Sequence, residues 1–263
     1  MFFIIIMRTY CRNGNLSRCF KQKSYLCKCI CGTTIRKQIF HSLLSMTTMI
    51  KNIIFDFGGV IHDIRYENVG EAFVRHGVTN LGTFYTKDFQ TPEMDLFEKG
   101  MLSPAEYRDY IRRATGHNLS DNDIDDIVNA ILIDVPRERV ELLLKLRQHY
   151  KVFLFSNTNQ INYDCFTVRL KAKYGFDIFT ECFDKAYFSN FMHCRKPAKE
   201  GFEKIIAEQH LVPSETLFID DIAKNLDGAH AAGIHGLHLA EGTILNLFDE
   251  EGLLKKTLTS EKA

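Results

Sequence analysis

Three short apolar runs, each ending in a polar or acidic cluster, constrain this chain more than any other feature. Residues 51–57 read KNIIFDF and run into Gly58-Gly59. Residues 151–156 read KVFLFS and lead into Asn157-Thr158, and residues 216–221 read TLFIDD. Such runs are too short for buried helices. They read as strands buried on both faces of a parallel sheet. Residues 183–189 and 234–239 read as two further strands. Helical patterns occupy 137–149, 160–173, 197–209 and 223–232. Pro197 is expected in the first turn of its helix, where a missing N–H costs nothing. Gly233 suits the end of the helix before it. Strands alternating with helices predict an α/β core: a doubly wound, Rossmann-like parallel sheet of about five strands, covered on both faces.

Residues 65–135 break this rhythm. They hold no convincing buried strand and read as polar helices, with turns near Gly82, Gly100 and Gly116. Asn118-Leu119-Ser120-Asp121 looks like a helix entry. The segment is read as a helical cap inserted after the first strand, above the carboxyl ends of the sheet. The core then comprises 50–64 and 136–263, and residues 1–49 form a leader.

That leader differs from the rest in composition. It carries eight Lys or Arg and no Asp or Glu, although the whole chain is formally neutral. The remainder therefore has 25 basic against 33 acidic residues, a net of −8. An acidic body argues against nucleic-acid binding, which wants a basic face. Five of the eight cysteines (Cys11, Cys19, Cys27, Cys29, Cys31) also lie in the leader. Cys27, Cys29 and Cys31 lack the pair spacing of a zinc site. A targeting segment and a disordered or non-native leader are the other readings. Met46 and Met49 are alternative starts just before the first strand. Cys165, Cys182 and Cys194 are too scattered for a disulfide framework, so the body reads as reduced and cytoplasmic. No apolar run is long enough to span a membrane.

The polar clusters carry the chemistry. Asp56, Ser156/Asn157 and Asp220/Asp221 close three strands, and Lys196 opens a helix. In a parallel sheet the carboxyl ends of strands lie side by side, so these groups can share one crevice. Two like charges about 4 Å apart cost about 4 kcal/mol at an effective dielectric near 20. A hard divalent cation and a lysine would relieve that repulsion. Oxygen ligands alone favour magnesium over zinc. The plainer alternatives are local. Asp56 would cap the glycine turn, Asp220 or Asp221 would cap the next helix, Ser156 would form a turn, and Lys196 would be solvated.

The set F-D-F-G-G-V, F-S-N-T, R-K-P and F-I-D-D resembles the haloacid dehalogenase superfamily over roughly residues 50–240, and most members of that superfamily are phosphatases. The longer form F-D-F-G-G-V-I-H-D-I is most similar to the branch containing bacterial α-D-glucose-1-phosphate phosphatase. The resemblance implies that Asp56 is the nucleophile and forms an aspartyl-phosphate. It implies that Ser156 and the Asn157 backbone hold the phosphoryl oxygens and that Lys196 neutralises charge. Asp56, the Gly58 carbonyl, Asp221 and Asp220 would form the metal shell, with Asp220 alternatively pairing with Lys196. The substrate would be a small phosphorylated metabolite, plausibly a sugar phosphate.

Two positions depart from the family pattern. Gly58 stands where most phosphatases of the family carry a second Asp as general acid and base. Asp63 is the expected replacement, and His62 the second candidate. His193 stands where relatives often have glycine. The loss at Gly58 keeps two rivals open. A dehalogenase would need no acid but also no magnesium, and a non-catalytic binding protein could keep the fold. The aromatic residues Phe84, Tyr85, Phe89, Tyr107 and Tyr110 read more as cap core than as substrate contacts. Oligomeric state is not legible.

Overall fold

The computed structural model describes residues 50–79 and 91–255. The leader cysteines, Gly82, Phe84, Tyr85 and Phe89 lie outside the described residues. The elements run in the order β1 (Asn52–Phe55), β2 (Asp63–Ile64), α1 (Glu67–Arg75), α2 (Pro92–Glu98), α3 (Pro104–Thr115) and α4 (Asp121–Asn129). There follow β3 (Leu132–Asp134), α5 (Arg137–Leu146), β4 (Lys151–Ser156), α6 (Gln160–Tyr174), α7 (Ile178–Glu181), β5 (Lys185–Phe188) and α8 (Ser189–Met192). The chain continues through α9 (Lys199–Gln209), β6 (Thr216–Asp220), α10 (Asn225–Ala231) and β7 (His235–His238). No helix among the described residues is long and apolar enough to cross a membrane.

The central sheet has five strands in the order β5-β4-β1-β6-β7, all parallel. The pleat explains why its strands are apolar throughout. Ile53, Phe55, Val152, Leu154, Leu217 and Ile219 face one hydrophobic cluster. Ile54, Phe153, Phe155 and Phe218 alternate with them and face a second. Both faces are covered by helices, so no position on the inner strands can be polar without cost. Each large side chain buried this way stabilises the fold by about 1.5–3 kcal/mol.

The chain leaves β1, crosses to β4 and β5, then returns to β6 on the other side of β1. Phe55 is level with Leu154 of β4 and Ile219 of β6. Asp56 therefore emerges between its two neighbours at the point where the winding reverses, the usual ligand crevice of open α/β sheets.

Helices α1 to α4 share a third hydrophobic cluster with Ile161 of α6, including Phe73, Met94, Phe97, Tyr107, Ile111, Ile124 and Ile127. Tyr107 stacks on Phe97 at 4.2 Å and is buried, as its cap-core reading expects. Helices α3 and α4 begin in capping boxes, Ser103 with Glu106 and Ser120 with Asp123. Ser120 confirms the helix entry read from the sequence. Replacing Ser120 by alanine removes the acceptor for the Asp123 N–H. It is expected to lower stability by about 1 kcal/mol in a urea melt.

The short strand β3 pairs antiparallel with β2 within the segment read as holding no convincing buried strand. It is three residues long and mostly exposed, so it leaves no apolar run. One local expectation is corrected: helix α9 starts at Lys199, not at Pro197. The residues before it are committed elsewhere. Lys196 donates its N–H to Asn157 Oδ1 at 2.9 Å, and its carbonyl accepts from Asn157 Nδ2 at 3.0 Å. Gly233 follows α10 at φ 80°, as expected for a helix end.

Candidate active site

Three strand ends and one loop meet in a cavity of about 310 Å3. Its lining includes Asp56, Gly58, Ser156, Asn157 and Lys196 from the sheet side. Tyr66, Glu98 and Ile131 line it from the α1–α4 side. The volume lies at the small end of ligand pockets, about 300–1,000 Å3.

Two of the lining residues, Asp56 and Lys196, belong to a charge cluster. The Lys196 ammonium is buried, 1 % exposed, and donates to Asp56 Oδ1 at 2.6 Å and to Asp220 Oδ2 at 2.7 Å. It also lies 5.2 Å above the Phe218 ring and 5.7 Å from that of Phe155. Burial pulls its basicity down, but Asp220 and Asp56 outweigh that and hold it above the usual lysine value. Lys196 therefore stays charged. Asp56 behaves differently. Burial pushes its carboxyl up, Lys196 opposes this, and Asp220 and Asp221 add to it, leaving it at about 8.

Asp220 is immobilised from every side. Its Oδ1 accepts from the Ile222 N–H at 2.7 Å, and both oxygens accept from Asn225 Nδ2, at 3.1 and 3.0 Å. Asn225, which sequence reasoning missed, thus aims Asp220 at Lys196. This geometry suits a residue that positions the lysine. Asp221 sits beside the turn that follows β1. Gly59 holds φ 81°, and a side chain there would put its Cβ 2.6 Å from the Asp221 carboxyl carbon. Only glycine allows that approach.

One oxygen from each of Asp56, Asp220 and Asp221 lies within 4.8 Å of the others. With all three carboxylates ionised against one lysine the cluster would carry a net charge of −2, and that repulsion is part of what raises Asp56. Every donor in this trio is a hard oxygen. This chemistry fits a small divalent cation such as magnesium and offers no histidine or thiol ligand for zinc.

The remaining expected residues divide. Ser156 is buried and lines the cavity, with only a long 3.4 Å contact to the Asn157 carbonyl. The Asn157 side chain is consumed in pinning Lys196, as described above. Asp63 is not brought to the crevice. Its carboxylate is held by Arg139 Nη1 at 2.7 Å, its side chain is 44 % exposed, and it is not among the described residues that line the cavity. The β2–β3 pairing turns it outward. His62 does line the cavity, packed edge-on against Phe57. Burial lowers its basicity, and its Nδ1 lies 2.8 Å from the Asp63 carbonyl. A carbonyl only accepts, so Nδ1 carries the proton. Asp134 and Asp63 raise the basicity of this ring and Arg169 lowers it.

His193 adopts the left-handed conformation, φ 55°. This is the backbone shape that a glycine would fill. The imidazole Nδ1 lies 3.0 Å from the Lys99 carbonyl and holds the loop in place. Sequence reasoning also missed Tyr66, Glu98 and Arg195. Arg195 was visible as the first residue of R-K-P, but its partners lie about a hundred positions upstream.

Fold and site together define an open α/β protein with a carboxylate–lysine centre at its switch point. The haloacid dehalogenase-like hydrolase family profile matches residues 50–233, and the chain belongs to that family. The chain is 35 % identical to D-ribitol-5-phosphate phosphatase of Bacteroides thetaiotaomicron over 178 residues, covering 68 % of this chain and 86 % of that protein. It is 26 % identical to the sesquiterpene phosphatase astK of Aspergillus oryzae over 197 residues, 74 % of this chain and 93 % of the relative. A HAD family enzyme of B. thetaiotaomicron, crystallised with magnesium and inorganic phosphate, superposes with a TM-score of 0.65 at 36 % identity. That match covers 72 % of this chain and 93 % of the other.

Proposed function

We propose that this protein is a magnesium-dependent phosphatase that hydrolyses a small phosphorylated metabolite through a phospho-Asp56 intermediate. The observation that carries the reading is the buried contact of Lys196 with both Asp56 and Asp220, beside Asp221, with Asp56 and Lys196 lining the cavity. The phosphatase relatives and the magnesium–phosphate complex of a related enzyme support it.

Asp56, Asp221 and the Gly58 carbonyl would hold the cation, with Asp220 beside them. Bound there, it would neutralise phosphate charge and keep Asp56 ionised. Asp56 attacks phosphorus with one carboxylate oxygen. The P–O bond to the leaving group breaks as the aspartyl P–O bond forms. Lys196 and Ser156 meet the equatorial oxygens, where charge spreads in the transition state. Water then attacks phosphorus and frees Asp56. In this reading residues 65–135 act as a cap over a core of 50–64 and 136–263, and residues 1–49 are a leader. The three described cysteines are free thiols, which supports a reducing, cytoplasmic setting.

The test is phosphate release from a panel of sugar and polyol phosphates. Chelation of divalent metal is expected to abolish release, and added magnesium to restore it. Chelator-resistant turnover of a haloacid would favour the dehalogenase reading.

A further inference from the structure

Helix α2 ends against the segment that leads into Lys196. A helix leaves its last carbonyls without partners inside the helix. Two at the end of α2 are met from across this junction. Ser189 Oγ lies 2.6 Å from the Glu98 carbonyl, and His193 Nδ1 lies 3.0 Å from the Lys99 carbonyl. Gly100, at φ 63°, approaches so closely that a Cβ would meet the Asn190 carbonyl oxygen at 2.1 Å. Side chains close the same junction. Arg195 Nη1 donates to Asp95 Oδ1 at 3.0 Å, and Lys99 Nζ donates to the other Asp95 oxygen at 2.6 Å. Burial pushes the Asp95 carboxyl up, but Lys99 and Arg195 outweigh it and hold it below its ordinary value, so it stays charged.

Ser189 is the hub of the junction. It is fully buried, and its Oγ also accepts from the Thr158 N–H at 2.9 Å. Thr158 follows Ser156 and Asn157 in the loop after β4. The Asn157 side chain makes two hydrogen bonds to the Lys196 backbone. One hydroxyl therefore bridges the end of α2 and the loop that carries Ser156 and pins Lys196. Asp95 reaches the same loops from another side, through Arg195, the neighbour of Lys196. Helix α2 also walls the cavity through Glu98.

We infer that Ser189 and Asp95 are positioning residues: they fasten α2 to the loops bearing Ser156 and Lys196, so that these two groups are aimed at phosphorus only while α2 is seated. This rests on the phosphatase reading above. Neither residue is among the described residues that line the cavity, so each acts through another group. Phosphoryl transfer depends on placing donors and cations around the equatorial oxygens. A displacement of about 1 Å can cost about 10²-fold in rate, even when its source is remote from the chemistry. Unseating α2 releases the Thr158 N–H from Ser189 and Arg195 from Asp95, and both loops then lose the bracing that fixes their direction. Substrate could still enter and bind, but fewer complexes would hold Ser156 and Lys196 in line with the phosphoryl group.

The experiment measures kcat and KM for p-nitrophenyl phosphate, with magnesium, in wild type, Ser189→Ala, Asp95→Asn and the double variant, with Asp56→Asn as the control. Each is assayed well below its thermal midpoint, so that every protein is folded. Ser189→Ala is expected to lower kcat about tenfold or more while KM moves less than about threefold, because orientation is lost rather than binding. Asp95→Asn keeps the shape of the carboxylate and is expected to lower kcat about threefold to tenfold. It carries the test if Ser189→Ala does not fold. The double variant is expected to lose less than the product of the single losses, since either change already unseats α2. An unchanged kcat in the folded variants overturns the inference, because a purely structural role would move the thermal midpoint alone. So does a loss confined to KM, or single losses that multiply in the double variant. Asp56-dependent release with these outcomes removes this inference and leaves the phosphatase reading standing. Absence of any Asp56-dependent release removes both together.

Discussion

Asp56→Asn is expected to lower phosphate release by about 10⁴-fold or more, because it removes the proposed nucleophile while the rest of the site stays assembled. The amide keeps the shape of the carboxylate. It lacks the charge that attacks phosphorus and that would bind the cation. Loss of activity through unfolding is separable, because stability should move the other way. Burial, opposed by Lys196 and reinforced by Asp220 and Asp221, pushes the Asp56 carboxyl up to about 8. The charged form is therefore disfavoured in the folded, metal-free protein. The neutral amide is expected to be at least as stable there as wild type at neutral pH, measured as the thermal midpoint in chelator. Phosphate release within tenfold of wild type would end the covalent mechanism.

Lys196→Met is expected to cost about 3–5 kcal/mol of stability without added metal, since it strands buried carboxylates that have lost their cation. The methionine side chain roughly matches the lysine stem in volume, so little of the loss is packing. The pH dependence carries a sign that can be checked. The folded value for Asp56, about 8, lies above its ordinary value of 3.8. Such a group contributes stability that is fully present below about pH 3.8. That contribution is lost as pH rises through about 8. Removing Lys196 takes away the positive charge that opposes the rise, so the folded value climbs further. The deficit of Lys196→Met against wild type, read from urea midpoints, should stay level from mildly acid to neutral pH and widen as pH rises past about 8. A deficit that stays flat above that point as well would mean that Lys196 acts through packing rather than charge. Saturating magnesium should narrow it, because a bound cation replaces part of the missing positive charge.

The strands were legible because burial on both faces leaves a physical trace in the chain. Ile53 to Phe55 and Val152 to Phe155 could not be polar, so the runs stand out against their surroundings. Asp56, Ser156, Lys196, Asp220 and Asp221 were legible because each interrupts or follows such a run with a group that burial alone would exclude. The helical insertion was legible only as a break in rhythm, and β3 was lost within it because three half-exposed residues carry no pattern.

What the sequence by itself determined was the parallel core and the set of groups at its carboxyl edge, since both follow from which residues tolerate burial. Only the tertiary structure decided where Asp63 points, that Asn157 and Asn225 brace the lysine and its partner, and that Tyr66, Glu98 and Arg195 share one cavity. Those outcomes depend on side-chain direction in loops and on contacts between distant segments. Neither has a period or a spacing along the chain. Asp63 shows the difference most simply: seven positions from Asp56 in sequence, it is turned away by a two-residue strand and held by Arg139.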